Sequence, residues 1–209
     1  MTILPRARFS ISRAPAPISS RSASAPAACR RKQHHVSRLL VDYAAAGVRV
    51  VRLKSGDAGI FGRLEEEIEA LRAAGIGYEI IPGVTSASVA AAQAGIPLTR
   101  RLTSRRVQFV TGADVTGELP ADLNWAALAD PEATTVVYMG RRTFPALAAK
   151  LIAHGLASDT PALLAESLGH ADERLLRTTV AALAEQLAQA GAATAAAVIL
   201  FGALAPERG

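Results

Sequence analysis

The chain of 209 residues has one cysteine, one tryptophan and only 4% aromatic residues. A lone Cys29 excludes an internal disulfide and suits a reducing compartment, so a cytoplasmic location is expected. Metal-ligand clusters are also lacking. His34 and His35 are adjacent rather than at ligand spacing, and His154 and His170 are isolated, so no metal is expected. No Gly-x-Gly-x-x-Gly, no phosphate-cradling Gly-Lys-Ser/Thr loop and no Gly-x-Ser-x-Gly elbow occurs. That weakens dinucleotide, phosphate-loop and serine-hydrolase readings. No secretory apolar core is evident. The longest uncharged run, 186–206, reaches membrane-spanning length. It is rich in Ala and Gly, however, and holds Gln186, Gln189 and Thr194. A helix end followed by a buried strand explains it better, and no membrane association is expected.

Acidic residues are missing from the first 41 positions. Eight of the 23 basic residues precede Asp42, leaving 15 against all 18 acidic residues, a net of −3 for the remainder. The basic character thus belongs to an N-terminal arm. No basic stripe with interleaved aromatics lies on a periodic element, so nucleic-acid binding is not expected. Residues 1–29 are rich in Arg, Ser, Ala and Pro and show no sustained period. They read as a disordered arm, a transit-like segment or a non-native start.

What is present is a globular composition, half of it apolar and dominated by Ala. Helical periodicity covers 33–46, where Val36, Leu39, Leu40 and Tyr43 share a face, and Gly47 stops it. A β-branched strand spans 48–53. A helix over 63–74 places Leu64, Ile68 and Leu71 on one face and three glutamates in its first turn. A strand over 78–81 stops at Pro82-Gly83, and a small-residue helix covers 86–94. Strand and helix alternating at this spacing predict a parallel, doubly wound sheet. A boundary is expected at 103/104. Beyond it, strands are expected at 107–110, 134–139, 162–165, 175–179 and 197–201, with helices at 143–154 and 180–190. The fold class is α/β: two αβα domains, the first (30–103) a parallel sheet and the second (104–209) a mixed one.

The richest segment is Val50-Val-Arg-Leu-Lys-Ser-Gly-Asp57, a strand running into a tight loop. In open parallel sheets, strand carboxyl ends face the ligand crevice. Ser55 and Gly56 allow close backbone approach, and the Asp57 carboxylate sits where a small polar ligand would lie. Thr85 at a helix start offers a hydroxyl and free amides. Met139 at a strand end is soft and polarisable, fit either to fill a core or to cover a purine.

Taken in order, Arg49-Val-Val-Arg-Leu-Lys-Ser-Gly-Asp57, Ile60-Phe-Gly-Arg63, Ile81-Pro-Gly-Val-Thr-Ser-Ala-Ser88, Ala94-Gly-Ile-Pro-Leu-Thr-Arg-Arg101, Val110-Thr-Gly-Ala-Asp114 and Val136-Val-Tyr-Met-Gly140 resemble one family. It is the S-adenosylmethionine-dependent tetrapyrrole methyltransferases, and among them those that C-methylate uroporphyrinogen III to precorrin-2 for siroheme or cobalamin. The similarity runs from about Arg30 to Gly202. It implies two αβα domains with the cofactor in a cleft between them, and commonly a homodimer. By resemblance, Ser55, Gly56, Asp57, Ile60, Thr85, Ser86, Met139, Leu168 and Ala197 line S-adenosylmethionine or its product S-adenosylhomocysteine. Arg63, Arg100, Arg101 and Arg141 (with Arg142 beside it) would meet the carboxylates of a tetrapyrrole substrate.

The sequence departs from the family at its start. The Gly-Pro-Gly-Asp loop, the Tyr-Asp after it and the Gly-Lys-Arg motif are not found; Ala25-Pro-Ala-Ala28 stands where the last should be. Catalytic residues therefore stay unassigned, and a first domain lacking its leading strands is expected. Weak cofactor binding and impaired activity follow, with an inactive binding or scaffold relative as the alternative.

Overall fold

The computed structural model describes residues 2–3, 33–190 and 195–205. The chain divides into two compact units, 1–83 and 84–209.

In the first unit, α1 (Gln33–Ala45) packs on α2 (Leu64–Ala73). Leu40, Ala44 and Leu71 are buried there, with Val50, Leu64, Ile76 and Tyr78 packed around them. Strand β1 (Thr2–Ile3) pairs antiparallel with β2 (Val50–Val51). The pair is antiparallel, and the parallel sheet expected for the first domain is not seen among the described residues. The strand expected at 48–53 shrinks to two residues, and 78–81 lies outside any named strand. Parallel sheets form where both faces are covered. Here Val51, Leu53, Ile80 and Ile81 are exposed, so the described residues of the first unit form no sheet covered on both faces.

The second unit begins at Val84, ahead of the change expected at 103/104. The reason is α3 (Ser86–Gln93): Ala87, Ala90 and Ala91 press its small-residue face on Val136, Leu163, Ala165, Val198 and Leu200. The unit continues with β3 (Arg106–Thr111), α4 (Trp125–Leu128), β4 (Ala133–Tyr138), α5 (Phe144–Ala153), β5 (Pro161–Glu166), β6 (Arg174–Thr179), α6 (Val180–Gln189) and β7 (Ala197–Gly202). Its five strands are ordered β3-β4-β7-β5-β6. β3 and β4 run parallel, and every other pair is antiparallel, giving the expected mixed sheet. The opposite face carries Val137, Leu164, Ile199 and Phe201 against Phe144, Leu147, Leu151, Val180 and Leu183.

The buried polar groups of β4 are satisfied, as burial requires. Thr135 Oγ1 accepts from Gln108 Nε2 at 2.7 Å, and Thr134 Oγ1 meets Ser104 Oγ at 2.9 Å. Several helices share one ending. After α3, the Gly95 amide donates to the Ala92 carbonyl at 3.0 Å and the Ile96 amide to the Ala91 carbonyl at 2.9 Å. Gly95 supplies the positive φ, 65°, that this closure needs. The single-turn α4 was not anticipated; Asn124 caps it, its Oδ1 accepting from the Ala127 amide at 3.1 Å.

Candidate functional site

In the first unit, the loop after β2 is folded on itself. Asp57 Oδ1 accepts from the Gly59 amide at 2.7 Å and Oδ2 from the Gly83 amide at 3.0 Å. Those two amides, Gly83 first, hold the Asp57 carboxyl below its ordinary pKa. Both oxygens are thus engaged by backbone amides, and Asp57 holds its own loop in shape. Gly83 lies so close that an added Cβ would fall 2.1 Å from the Gly56 carbonyl oxygen. Ser55 and Gly56 stay exposed, with Gly56 at φ 67°; Ile60 is half-buried, its amide reaching the Asp57 carbonyl at 3.3 Å.

The other end of the loop is anchored in the unit's interior. Lys54 Nζ donates to the Gly62 carbonyl and stands 2.8 Å from Glu67 Oε2. Glu67 on α2 is fully buried, and its Oε1 also receives Gln33 Nε2 at 3.0 Å and Arg52 Nε at 3.3 Å. Reading Glu67 as one of three first-turn acids missed this, because the partners come from two separate segments, Gln33 at the start of α1 and Arg52 and Lys54 after β2. Arg63, at φ 54°, grips Glu66 in two places, at 2.6 and 2.8 Å.

In the second unit, the candidate residues gather at one rim of the sheet. The carboxyl ends of β4 and β5 and the beginning of β7 meet there: Tyr138 pairs with Val198, and Glu166 with Ala197. Thr85 precedes α3 without capping it through its own side chain. Its hydroxyl meets the Tyr138 hydroxyl instead, and the Ala87 amide donates to the same phenol oxygen at 3.4 Å. Tyr138 therefore takes the capping role at the start of α3. Phe109 meets the Tyr138 ring edge-on at 5.9 Å. Ser86 opens the helix, half-buried. Met139 follows at φ 54°, a left-handed turn that a non-glycine residue adopts only under constraint, and it is 55% exposed. Leu168 packs with Tyr138 in the cluster beneath α3, while Ala197 packs toward the opposite face.

The arginines separate. Arg141 Nε stands 3.0 Å from Glu166 Oε1 at this rim. Arg142 pairs with Glu118, also at 3.0 Å. Arg100 does not join them. Its backbone bridges to Ser104, whose hydroxyl meets Thr134 near the start of β4. That is the opposite end of the strand from Met139, because α3 is anchored by its first turn on Tyr138 and carries the chain away. Arg101 follows Arg100 and is exposed.

Comparison with known proteins gives this arrangement a context. The family model for tetrapyrrole (corrin/porphyrin) methylases matches residues 4–184. The siroheme synthase of Methylococcus capsulatus is 45% identical over 159 residues, which are 76% of this chain and 33% of that protein. That of Gluconacetobacter diazotrophicus is 45% identical over 177 residues, 84% of this chain and 37% of that protein. The chain therefore spans about a third of the length of these curated relatives. Among solved structures, a cobalt precorrin-4 methyltransferase superposes with a TM-score of 0.72 at 28% identity, covering 83% of this chain and 72% of that one. The uroporphyrin-III C-methyltransferase of Thermus thermophilus, solved with S-adenosyl homocysteine, gives 0.67 at 32% identity, covering 82% and 74%. With the family model matching most of its length, the chain belongs to the tetrapyrrole (corrin/porphyrin) methylase family.

Proposed function

We propose that this chain uses S-adenosylmethionine to C-methylate uroporphyrinogen III toward precorrin-2, in siroheme or cobalamin biosynthesis. The observation that carries the reading is the rim of the second unit. It brings the exposed thioether of Met139, the Thr85–Tyr138 hydroxyl pair and the first amides of α3 to one end of one sheet. These groups fit an adenosyl thioether. A soft side chain can cover a purine, and hydroxyls beside a helix N-terminus suit polar substituents.

In that reading Thr85, Ser86, Met139, Leu168 and Ala197 hold the cofactor from the second unit. In the first unit, Asp57 fixes the shape of the loop that carries Ser55, Gly56 and Ile60. The bound donor supplies a methyl group on a sulfonium centre, already activated toward a carbon nucleophile. The chain's own contribution is alignment, since holding reactants in register removes a large entropic barrier. Arg63 is the proposed partner for a substrate carboxylate. Its pair with Glu66 is exposed and confined to the surface, so exchanging one carboxylate for another costs little. A homodimer in the cytoplasm completes the reading.

Titration calorimetry with S-adenosylhomocysteine tests it, beside an assay of methyl transfer to uroporphyrinogen III. Micromolar binding is expected, weakened on the order of tenfold in Met139→Ala by loss of the contact area that this side chain offers the ligand. Absence of binding by the wild type ends the reading. Binding without turnover supports the alternative of an inactive binding relative.

A further inference from the structure

One ion pair, its facing atoms buried, has no part in the function just proposed. Arg141 leaves β4 two residues after Met139, and Glu166 ends β5 just ahead of Ser167 and Leu168. In the sheet, β7 lies between those strands, and Glu166 stands in register with Ala197. The pair therefore reaches across the start of β7. Met139, Leu168 and Ala197 each lie within two residues of it in sequence or opposite it in register.

Both turns that it joins are left-handed at non-glycine residues: Met139 at φ 54° and Ser167 at φ 51°. Such conformations persist where their surroundings over-determine them. The second turn has tethers of its own. The Ser167 amide donates to the Ala196 carbonyl at 2.9 Å, and its hydroxyl to Asp172 Oδ2 at 2.8 Å. The first turn juts into solvent at Met139 and is followed at once by Gly140 and Arg141. Arg141 Nε and Glu166 Oε1 are both buried and have no hydrogen-bond partner among the described residues. At 3.0 Å, each charge is compensated by the other.

We propose that Arg141 and Glu166 are positioning residues, whose ion pair across the start of β7 fixes the turn at Met139 and thereby the affinity for the methyl donor. The affinity part rests on the methyl-donor reading above. The proposal gives the buried Nε of Arg141 to Glu166, since turning it away would leave Glu166 buried and unpaired.

The chain has two methionines, Met1 and Met139. Isotope labelling of methionine methyl groups followed by NMR therefore reads the Met139 turn without any ligand. Glu166→Gln and Arg141→Met should each shift or broaden the Met139 signal and leave that of Met1 in place. The double variant Arg141→Met with Glu166→Leu replaces the pair by apolar groups, a change that buried pairs often tolerate. It should keep the fold by circular dichroism and still move the Met139 signal. Affinity for S-adenosylhomocysteine should fall on the order of tenfold in each variant, the scale seen when a supporting contact behind a binding group is lost. The donor KM should rise while the tetrapyrrole KM holds.

An unmoved Met139 signal in a folded variant overturns the proposal. Loss of the fold in all three variants overturns it as well, because the pair would then be holding the sheet and not the turn. A tetrapyrrole KM raised in Arg141→Met but not in Glu166→Gln also overturns it, since arginine would then read the substrate directly. Failure of the methyl-donor reading has a different signature. The wild-type Met139 signal would ignore S-adenosylhomocysteine, while the ligand-free spectra of the variants still decide what the pair does.

Discussion

The carboxylate of Asp57 is held by the amide of Gly83, 26 residues further along the chain, at 3.0 Å. One side chain thus closes its own turn, through the Gly59 amide, and ties that turn to the residue that ends the first unit. Asp57→Ala removes the shared acceptor. Hydrogen exchange at the Gly59 and Gly83 amides should then rise together, with α1 and α2 unaffected. Protection retained at Gly83 would refute the tie.

The same bond sets a pH dependence. Amides stabilise the ionised form, so the folded-state pKa of Asp57 lies below its unfolded value. Its contribution is fully present above the unfolded pKa, about 3.9, and is lost as pH falls through the lowered folded value. Gly83 amide protection should therefore hold from neutrality down to the ordinary carboxylate range and fail only in stronger acid. Loss of protection between pH of about 5 and 7 would contradict the assignment.

Gly83→Ala should destabilise the first unit by about 1–3 kcal/mol, the usual range for overpacking. Its Cβ would meet the Gly56 carbonyl oxygen at 2.1 Å, and backbone there has no rotamer to change. Gly59→Ala is the control, because the new methyl meets only the Asp57 side chain, at 3.1 Å. Denaturant midpoints compare the two, and equal effects would count against the close approach.

Tyr138→Phe keeps the ring against Phe109 and deletes the oxygen that receives the Ala87 amide. Removing a helix cap costs about 0.5–2 kcal/mol. Thr85→Val removes the other hydroxyl of the pair. Because the two share one contact, the double variant should cost less than the sum of the singles. Strict additivity in urea titrations would show that the hydroxyls act separately.

Glu67→Gln should be among the most damaging single changes in the first unit. The carboxylate is fully buried between Arg52 and Lys54, and removing one partner of a buried pair costs about 3–5 kcal/mol. Arg38→Gln breaks only an exposed pair with Asp42. It should fall within about 1 kcal/mol of wild type. Thermal or denaturant unfolding ranks the two, and comparable losses would mean that Glu67 is not the anchor described.

Much of this protein was legible in local order. Val136-Val-Tyr-Met-Gly140 reads as a buried strand ending at a candidate site, and the chain builds β4 and the Met139 turn there. Gly47, Gly75 and Gly95 mark helix ends, because a positive φ at that place is a local steric requirement. The first unit read less well. Alternation of strand and helix predicted a parallel sheet, yet a ladder depends on neighbours that periodicity does not name. Val50–Val51 pairs with Thr2–Ile3 instead.

The sequence alone determined where the turns fall, which faces are apolar and which family pattern the motifs follow, since each depends on residues a few positions apart. Tertiary structure alone decided how the charged and hydroxyl groups are used. Asp57 was drawn to Gly83, Tyr138 to Thr85, Arg141 to Glu166, and Arg100 to the far end of β4. A polar group in a packed interior takes whichever partner the fold brings within about 3 Å, and no local pattern records that choice.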